Sequence, residues 1–475
     1  MKGTKSLTVV IKLGTSSIVD EKTHEPLLSI LSLIVETAVR LRKDGHKVII
    51  VSSGAIGVGL RRMNVDRRPK HLSKLQALAA IGQCRLISLW DSLFAHLQQP
   101  VSQILLTRND IADRSRYLNA QNTIAELLDM GVIPIVNEND TLAVAEIKFG
   151  DNDTLSAITA AMVHADFLFL MTDVDCLYDK NPRTNPDARP IEEVEDIGAI
   201  QADVSSAGSS LGTGGMGTKI VAARLATSVG VTTVITRSSS PGNIVKIVRY
   251  LQASKAITGS PSSPPQAAES NTSAVLAPID TLSSSAASPT PDVLEKPPLH
   301  TRFLPLSTPI RDRYFWILHG LAPHGTLYID HGAWAALSGK AGLLPAGVLD
   351  VEGNFAQHEA VRLIVVDRPS SDLSTPFSPF PSRSATPIPV ASKWDCYNPI
   401  EIGRALVNYA APEIARIKGH RSSKIGELLG YADSEYVAHR ENISLYRRES
   451  RPVSPAPDAA ANIGGVAGYE AGSTV

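Results

Sequence analysis

Leu7-Thr-Val-Val-Ile-Lys12 is a short, largely β-branched run that ends on a lysine and enters a glycine-containing turn, Gly14-Thr15-Ser16. A run of this length bounded by turn residues reads as a buried strand. Beyond it, Leu27, Leu28, Leu31, Ile34, Val35, Ala38 and Leu41 recur at helical spacing, with Pro26 at a favoured first-turn position and Gly45 just past the end. Lys47-Val-Ile-Ile-Val51 is then a second buried run, and Val101–Leu106, Val132–Val136, Asp166–Met171 and Val231–Thr236 repeat the pattern. Strand, helix, strand in alternation predicts an α/β domain over residues 1–251, a mostly parallel sheet sandwiched by helices.

The chain has 475 residues, about three times a typical domain, so two or three folding units are expected. Its 46 basic and 47 acidic side chains leave a net charge of −1, which argues against attachment to nucleic acid or anionic membrane by bulk charge. No apolar leader core and no run of 18 uncharged apolar residues occurs, so a soluble, cytoplasmic protein without a membrane partner is expected. Cys84, Cys176 and Cys396 lack metal or disulfide spacing and are expected to be buried, inert thiols.

Sixteen of the 31 prolines fall in Pro261–Pro309 and Pro369–Pro389. Residues 252–310 are rich in Ser, Pro, Ala and Thr and are expected to be a disordered linker. A small β-rich C-terminal domain is expected over 311–448, with strand-like runs at Thr326–Ile329 and Ala360–Val366, a helix and turn over Pro412–Gly430, and a disordered insertion near 367–392. Residues 449–475 read as a flexible tail.

Four loops follow strand ends of the first domain, where open α/β sheets bind ligands. In Lys12-Leu-Gly14-Thr15-Ser16 a lysine and a glycine could meet a phosphate, or the lysine could simply lie at the surface. In Ser52-Ser53-Gly54-Ala55 the serines could face a ligand or cap a helix. Asn137-Glu-Asn-Asp140 and Gly150-Asp-Asn152-Asp153 form two clusters of amides and acids, suited to binding an ammonium group and organising catalytic cations. Turn chemistry explains either cluster singly and the pair poorly.

The fourth, Gly212-Thr213-Gly214-Gly215-Met216-Gly217-Thr218-Lys219, matches G-x-G-x-x-G literally, but no apolar strand precedes it and no acidic residue follows before Glu269, so dinucleotide binding fails. Its lysine follows the hydroxyl residue, so it is not a Walker loop either. A glycine-rich loop delivering Lys219 and helix N–H groups to a phosphate remains, with Thr172-Asp173 at the end of the fifth strand able to meet the nucleotide.

In their order, these five motifs closely resemble those of the glutamate 5-kinase family of the amino acid kinase superfamily, over about residues 7–250. Arg313-Tyr-Phe-Trp, Ala415-Arg-Ile-Lys-Gly-His-Arg421, Gly430-Tyr and Val437-Ala-His-Arg440 resemble the C-terminal PUA domain of the same enzymes. The chain departs from the pattern at Cys176, where the family usually has glycine, and in its two proline-rich stretches.

The resemblance implies ATP-dependent phosphorylation of the γ-carboxylate of L-glutamate, the first step of proline biosynthesis, with Mg²⁺ bridging the ATP phosphates and no direct protein ligand to the metal. It makes Lys12, Lys219 and Asp153 catalytic, the aspartate holding the lysines in register. It assigns Ser53, Asn137, Asp140 and Asn152 to glutamate. Lys12, Gly14, Thr172, Asp173, Thr213, Gly214, Gly215, Met216, Gly217, Thr218 and Lys219 would hold ATP. It further implies feedback inhibition by proline, a glutamyl phosphate reductase as partner and a homo-oligomer. PUA domains elsewhere bind RNA, but 13 basic against 12 acidic side chains in residues 311–366 and 391–448 argue against RNA as a partner here.

Overall fold

The computed structural model describes residues 5–142, 152–200, 215–258, 296–367, 394 and 399–446. Gly150 and Asp151, Gly212–Gly214, the second proline cluster, Cys396, the tail and most of the expected linker lie outside the described residues.

The six expected strands form, each within two residues of the sequence reading: β1 (Thr8–Leu13), β2 (Lys47–Ser52), β3 (Val101–Leu106), β4 (Ile133–Glu138), β5 (Phe167–Thr172) and, after three short strands, β9 (Thr232–Arg237). The short ones are β6 (Leu177–Tyr178), β7 (Pro190–Ile191) and β8 (Glu193–Val194). The main sheet runs β3-β4-β2-β1-β5-β9, all parallel, and then continues into β10 (Thr301–Phe303) and β8. Alternation along β1 sends Val10 into one apolar layer and Val9, Ile11 and Leu13 into the other. Both faces of the sheet are therefore covered.

One layer is built on α1 (Leu28–Lys43), α3 (Leu72–Ala95) and α8 (Asn243–Thr258), with α2 (Ala55–Arg62) braced on α3. On α1 the expected stripe is buried at Leu31, Ile34, Val35, Ala38 and Leu41, whereas Leu28 is exposed, and Gly45 takes the left-handed conformation (φ 89°) after the last turn. The other layer holds α4 (Arg108–Ala112), α5 (Arg114–Asp129), α6 (Asn152–Met162) and α7 (Met216–Ser228).

Two small residues let α2 and α3 touch backbone to backbone. A Cβ added at Gly59 would lie 2.1 Å from the Leu78 carbonyl oxygen, and one at Gly82 would lie 1.7 Å from that of Ala55. Cys84, expected to be buried, is exposed, because it falls off the Leu78, Ala79, Gly82, Leu86 and Trp90 face of α3.

The expected linker also requires correction at both ends. Helix α8 runs on to Thr258, and β10 pairs antiparallel with β9, its Phe303 fully buried in the first domain's core. A three-residue strand whose partner is some 68 positions away leaves no periodic signal in the chain.

The second sheet, β12-β11-β13-β14-β15, comprises β11 (Gly325–Ile329), β12 (Val348–Gly353), β13 (Ala360–Val365), β14 (Ile400–Leu406) and β15 (Ile443–Leu445). Around it lie α9 (Asp312–Phe315), which continues as a π turn through Gly320, α10 (His331–Ser338), α11 (Ala411–Ile417) and α12 (Ile425–Leu429).

The α9 turn joins the two domains. Asp312 accepts from Arg114 at 2.9 Å and from the Tyr117 hydroxyl at 2.7 Å, and Trp316 Nε1 donates to the Ile111 carbonyl at 2.9 Å. The Arg114 guanidinium stacks on both Tyr117 and Trp316, 5.1 and 5.4 Å from the ring centres. Among the described residues no helix is long and apolar enough to cross a membrane.

Candidate active site

The parallel strands deliver their chemistry to one edge. Lys12 is the penultimate residue of β1, Ser53 follows β2, Asn137 is on β4, and Thr172 ends β5. The chain passes from β1 to β2 on one side and reaches β5 on the other, so these ends flank a topological switch point, where such sheets open a crevice. Ser53 N–H bonds the Leu13 carbonyl at 3.1 Å, tying this loop to the end of β1. Gly54 turns into α2 with φ 103°, which a side chain would resist.

Helices α6 and α7 pack side by side and bring their first turns into the crevice. Asp153, the second residue of α6, is fully buried. Its Oδ1 lies 2.5 Å from Lys12 Nζ and its Oδ2 lies 3.4 Å from Lys219 Nζ. The Thr218 hydroxyl donates to Oδ2 at 2.7 Å and accepts from the Gly215 N–H at 2.9 Å. Burial pushes the Asp153 carboxyl up, but the ammonium groups of Lys12 and Lys219 outweigh it and hold the pKa at about 2. Two buried ammonium groups and one carboxylate leave a net positive charge in a water-poor cleft, which is a setting for a polyanion.

Beside this triad, Asn152 donates to Ser53 Oγ at 2.8 Å and to Asn137 Oδ1 at 3.0 Å. Residues from all five sequence motifs thus share one site. Asp140 is half-buried in the turn after β4, on the same edge, and Asn139 N–H bonds the Leu106 carbonyl at 2.9 Å to hold that turn against β3. A Cβ on Gly14 would lie 3.8 Å from Lys12 Nζ, so the backbone of this turn runs close to the ammonium group.

Gly215 caps α7, and Met216, Gly217, Thr218 and Lys219 form its first turn; Thr213 and Gly214 lie outside the described residues. Thr172 donates to Asp173 at 3.1 Å, and Asp173 pairs with Arg183. These two stand one strand away from the triad. Next to them Cys176 is fully buried, and burial pushes its thiol up to about 11, so it is no nucleophile.

Two features escaped the sequence reading. Thr218 bonds Asp153 as well as belonging to the glycine-rich loop. Gln83, on α3, accepts from Asn137 Nδ2 at 2.8 Å. The available signal was the neighbouring Gly82, a glycine inside an apolar helical run, which marks close approach.

Residues 7–237 match the amino acid kinase family and residues 325–429 the PUA domain. The chain is 51% identical to a probable glutamate 5-kinase of Schizosaccharomyces pombe, over 93% of this chain and 94% of that one. It is 48% identical to an uncharacterized protein of Saccharomyces cerevisiae, over 93% and 99%. It is 41% identical to the glutamate 5-kinase of Rippkaea orientalis, over 92% and 99%.

Proposed function

This chain belongs to the glutamate 5-kinase family of amino acid kinases, and from that premise we propose that it transfers the γ-phosphoryl group of ATP to the γ-carboxylate of L-glutamate, giving γ-glutamyl phosphate and ADP, the first step of proline biosynthesis. The observation that carries the reading is Asp153 seated between Lys12 and Lys219. Phosphoryl transfer asks a protein chiefly for positioning and for charge where charge develops. Lys12 and Lys219 stabilise the phosphoryl group in flight and the departing β-phosphate. Asp153 keeps the two ammonium groups at fixed separation against their mutual repulsion. No general base is required, because a carboxylate with a reference pKa of about 4.3 is ionised at neutral pH.

Ser53, Asn137, Asp140 and Asn152 bind glutamate, with the Asp140 carboxylate facing the α-ammonium. Gly14, Thr172, Asp173 and the loop from Thr213 to Lys219 hold ATP. Asp153 is already engaged by three donors, so the residues of the crevice suit a metal that would be brought in with the nucleotide rather than held by this carboxylate. Mg²⁺ bound with ATP would supply neutralisation of phosphate charge. Family membership also supports a homo-oligomer, feedback by proline, and a reductase that takes up the labile acyl phosphate.

An ATP-dependent assay with hydroxylamine, which traps acyl phosphates as hydroxamates, tests the reading across glutamate, N-acetylglutamate and aspartate. Hydroxamate from glutamate well above the other two is expected. Equal or greater yield from either competitor would refute it.

A further inference from the structure

The polar chain behind the substrate side of the crevice has a direction, and a backbone N–H and the Gln83 carbonyl set it from opposite ends of one amide. The Glu138 N–H donates to Asn137 Oδ1 at 2.9 Å, and an N–H can only donate, which favours the orientation of the Asn137 amide that points Oδ1 at this group. Its Nδ2 must then face α3, where it donates to Gln83 Oε1 at 2.8 Å. The same Asn137 Oδ1 accepts from Asn152 Nδ2 at 3.0 Å, and Asn152 Nδ2 also donates to Ser53 Oγ at 2.8 Å. Both amide hydrogens of Asn152 are therefore used inside the protein. Its carbonyl oxygen is buried and has no hydrogen-bond partner among the described residues. A buried acceptor without a donor is costly, and a donor from a ligand in the crevice would relieve that cost.

We propose that Gln83 is a positioning residue for the substrate: by accepting from Asn137 it holds the amide chain so that Asn152 offers its carbonyl oxygen, and not its NH2 group, to the α-ammonium of glutamate. The inference rests on the function proposed above. Gln83 suits the task because its helix is seated on α2, Gly82 being in backbone contact with Ala55. Without the glutamine acceptor, Asn137 Nδ2 loses its partner at a residue only 2% exposed. Rotation of the Asn137 amide to find another acceptor would set its NH2 against that of Asn152, and the chain would lose its direction.

Steady-state kinetics of the full chain as wild type, Gln83→Ala and Gln83→Glu test this, with glutamate and ATP each varied. Gln83→Ala is expected to raise KM for glutamate about tenfold, the loss of one buried hydrogen bond, with kcat and KM for ATP held within about threefold. Gln83→Glu keeps an acceptor oxygen and is expected to stay close to wild type. An unchanged KM for glutamate in Gln83→Ala, equal impairment in Gln83→Glu, or a joint shift of kcat and both KM values would overturn the proposal. A wild-type protein that does not turn over glutamate would sink the functional reading along with it, whereas an active wild type with an indifferent Gln83→Ala sinks this proposal alone.

Discussion

Lys12 and Asp153 meet at 2.5 Å with 4% and 0% of their side chains exposed, and their pairing sets a strand end against a helix start. Replacing Asp153 with asparagine leaves two ammonium groups facing each other in a buried cleft. The expected cost is about 3 kcal/mol of stability, the range for a broken buried ion pair, with kcat reduced on the order of 10²-fold. Urea denaturation and turnover measure the two effects. In the wild type the stabilisation from this carboxylate is complete above its unfolded value of 3.8 and is lost as pH falls toward about 2; the variant lacks that transition.

Lys219→Ala separates chemistry from scaffold. A lost charge clamp costs on the order of 10²-fold in kcat, so a kcat within about threefold of wild type rules out the transition-state role.

Asp140→Ala addresses the ground state. Here KM for glutamate should rise about tenfold with kcat little changed, as expected when an interaction made equally in ground and transition states is removed. An unchanged KM takes Asp140 out of the substrate site.

His319 provides a pH test at the seam between domains. It sits on the π turn between Phe315 and Tyr446, with ring centres 5.0 and 6.4 Å away. Burial, reinforced by Arg404 on β14 and Arg108 on α4, lowers its pKa from 6.5 to about 4. The unfolded chain thus binds more protons between these values, and stability should be full above pH 6.5 and decline as pH drops toward 4. The slope from this residue is at most about 1.4 kcal/mol per pH unit. His319→Gln should flatten that part of the profile, and an identical profile in wild type and variant would exclude the effect.

Gly82→Ala tests the contact of α2 with α3. Its new methyl would overlap the Ala55 carbonyl, and about 3 kcal/mol of destabilisation is expected by thermal unfolding. A melting temperature equal to wild type would mean that the helices separate freely.

The main sheet was legible because buried parallel strands are continuous apolar runs, as in Leu7–Lys12 and Val231–Thr236, whose character does not depend on a distant partner. Thr301–Phe303 has no such independence. It is a strand only because Thr233–Ile235 stands beside it, and local periodicity carries no record of that. The triad was read from resemblance, since nothing in spacing brings Lys12, Asp153 and Lys219 together; the packing of α6 against α7 does so. Gln83 was invisible because its role comes entirely from what Asn137 needs across the cleft.

Strand β10 changes what counts as separable in this chain. A polypeptide ending at Thr258 would hold every motif of the catalytic crevice, yet it would bare the open side of Thr232–Arg237 and the hollow filled by Phe303, Phe315 and Trp316. An uncovered strand edge beside exposed apolar surface invites self-association. The C-terminal half thus closes a strand edge and completes a core that the N-terminal one leaves open.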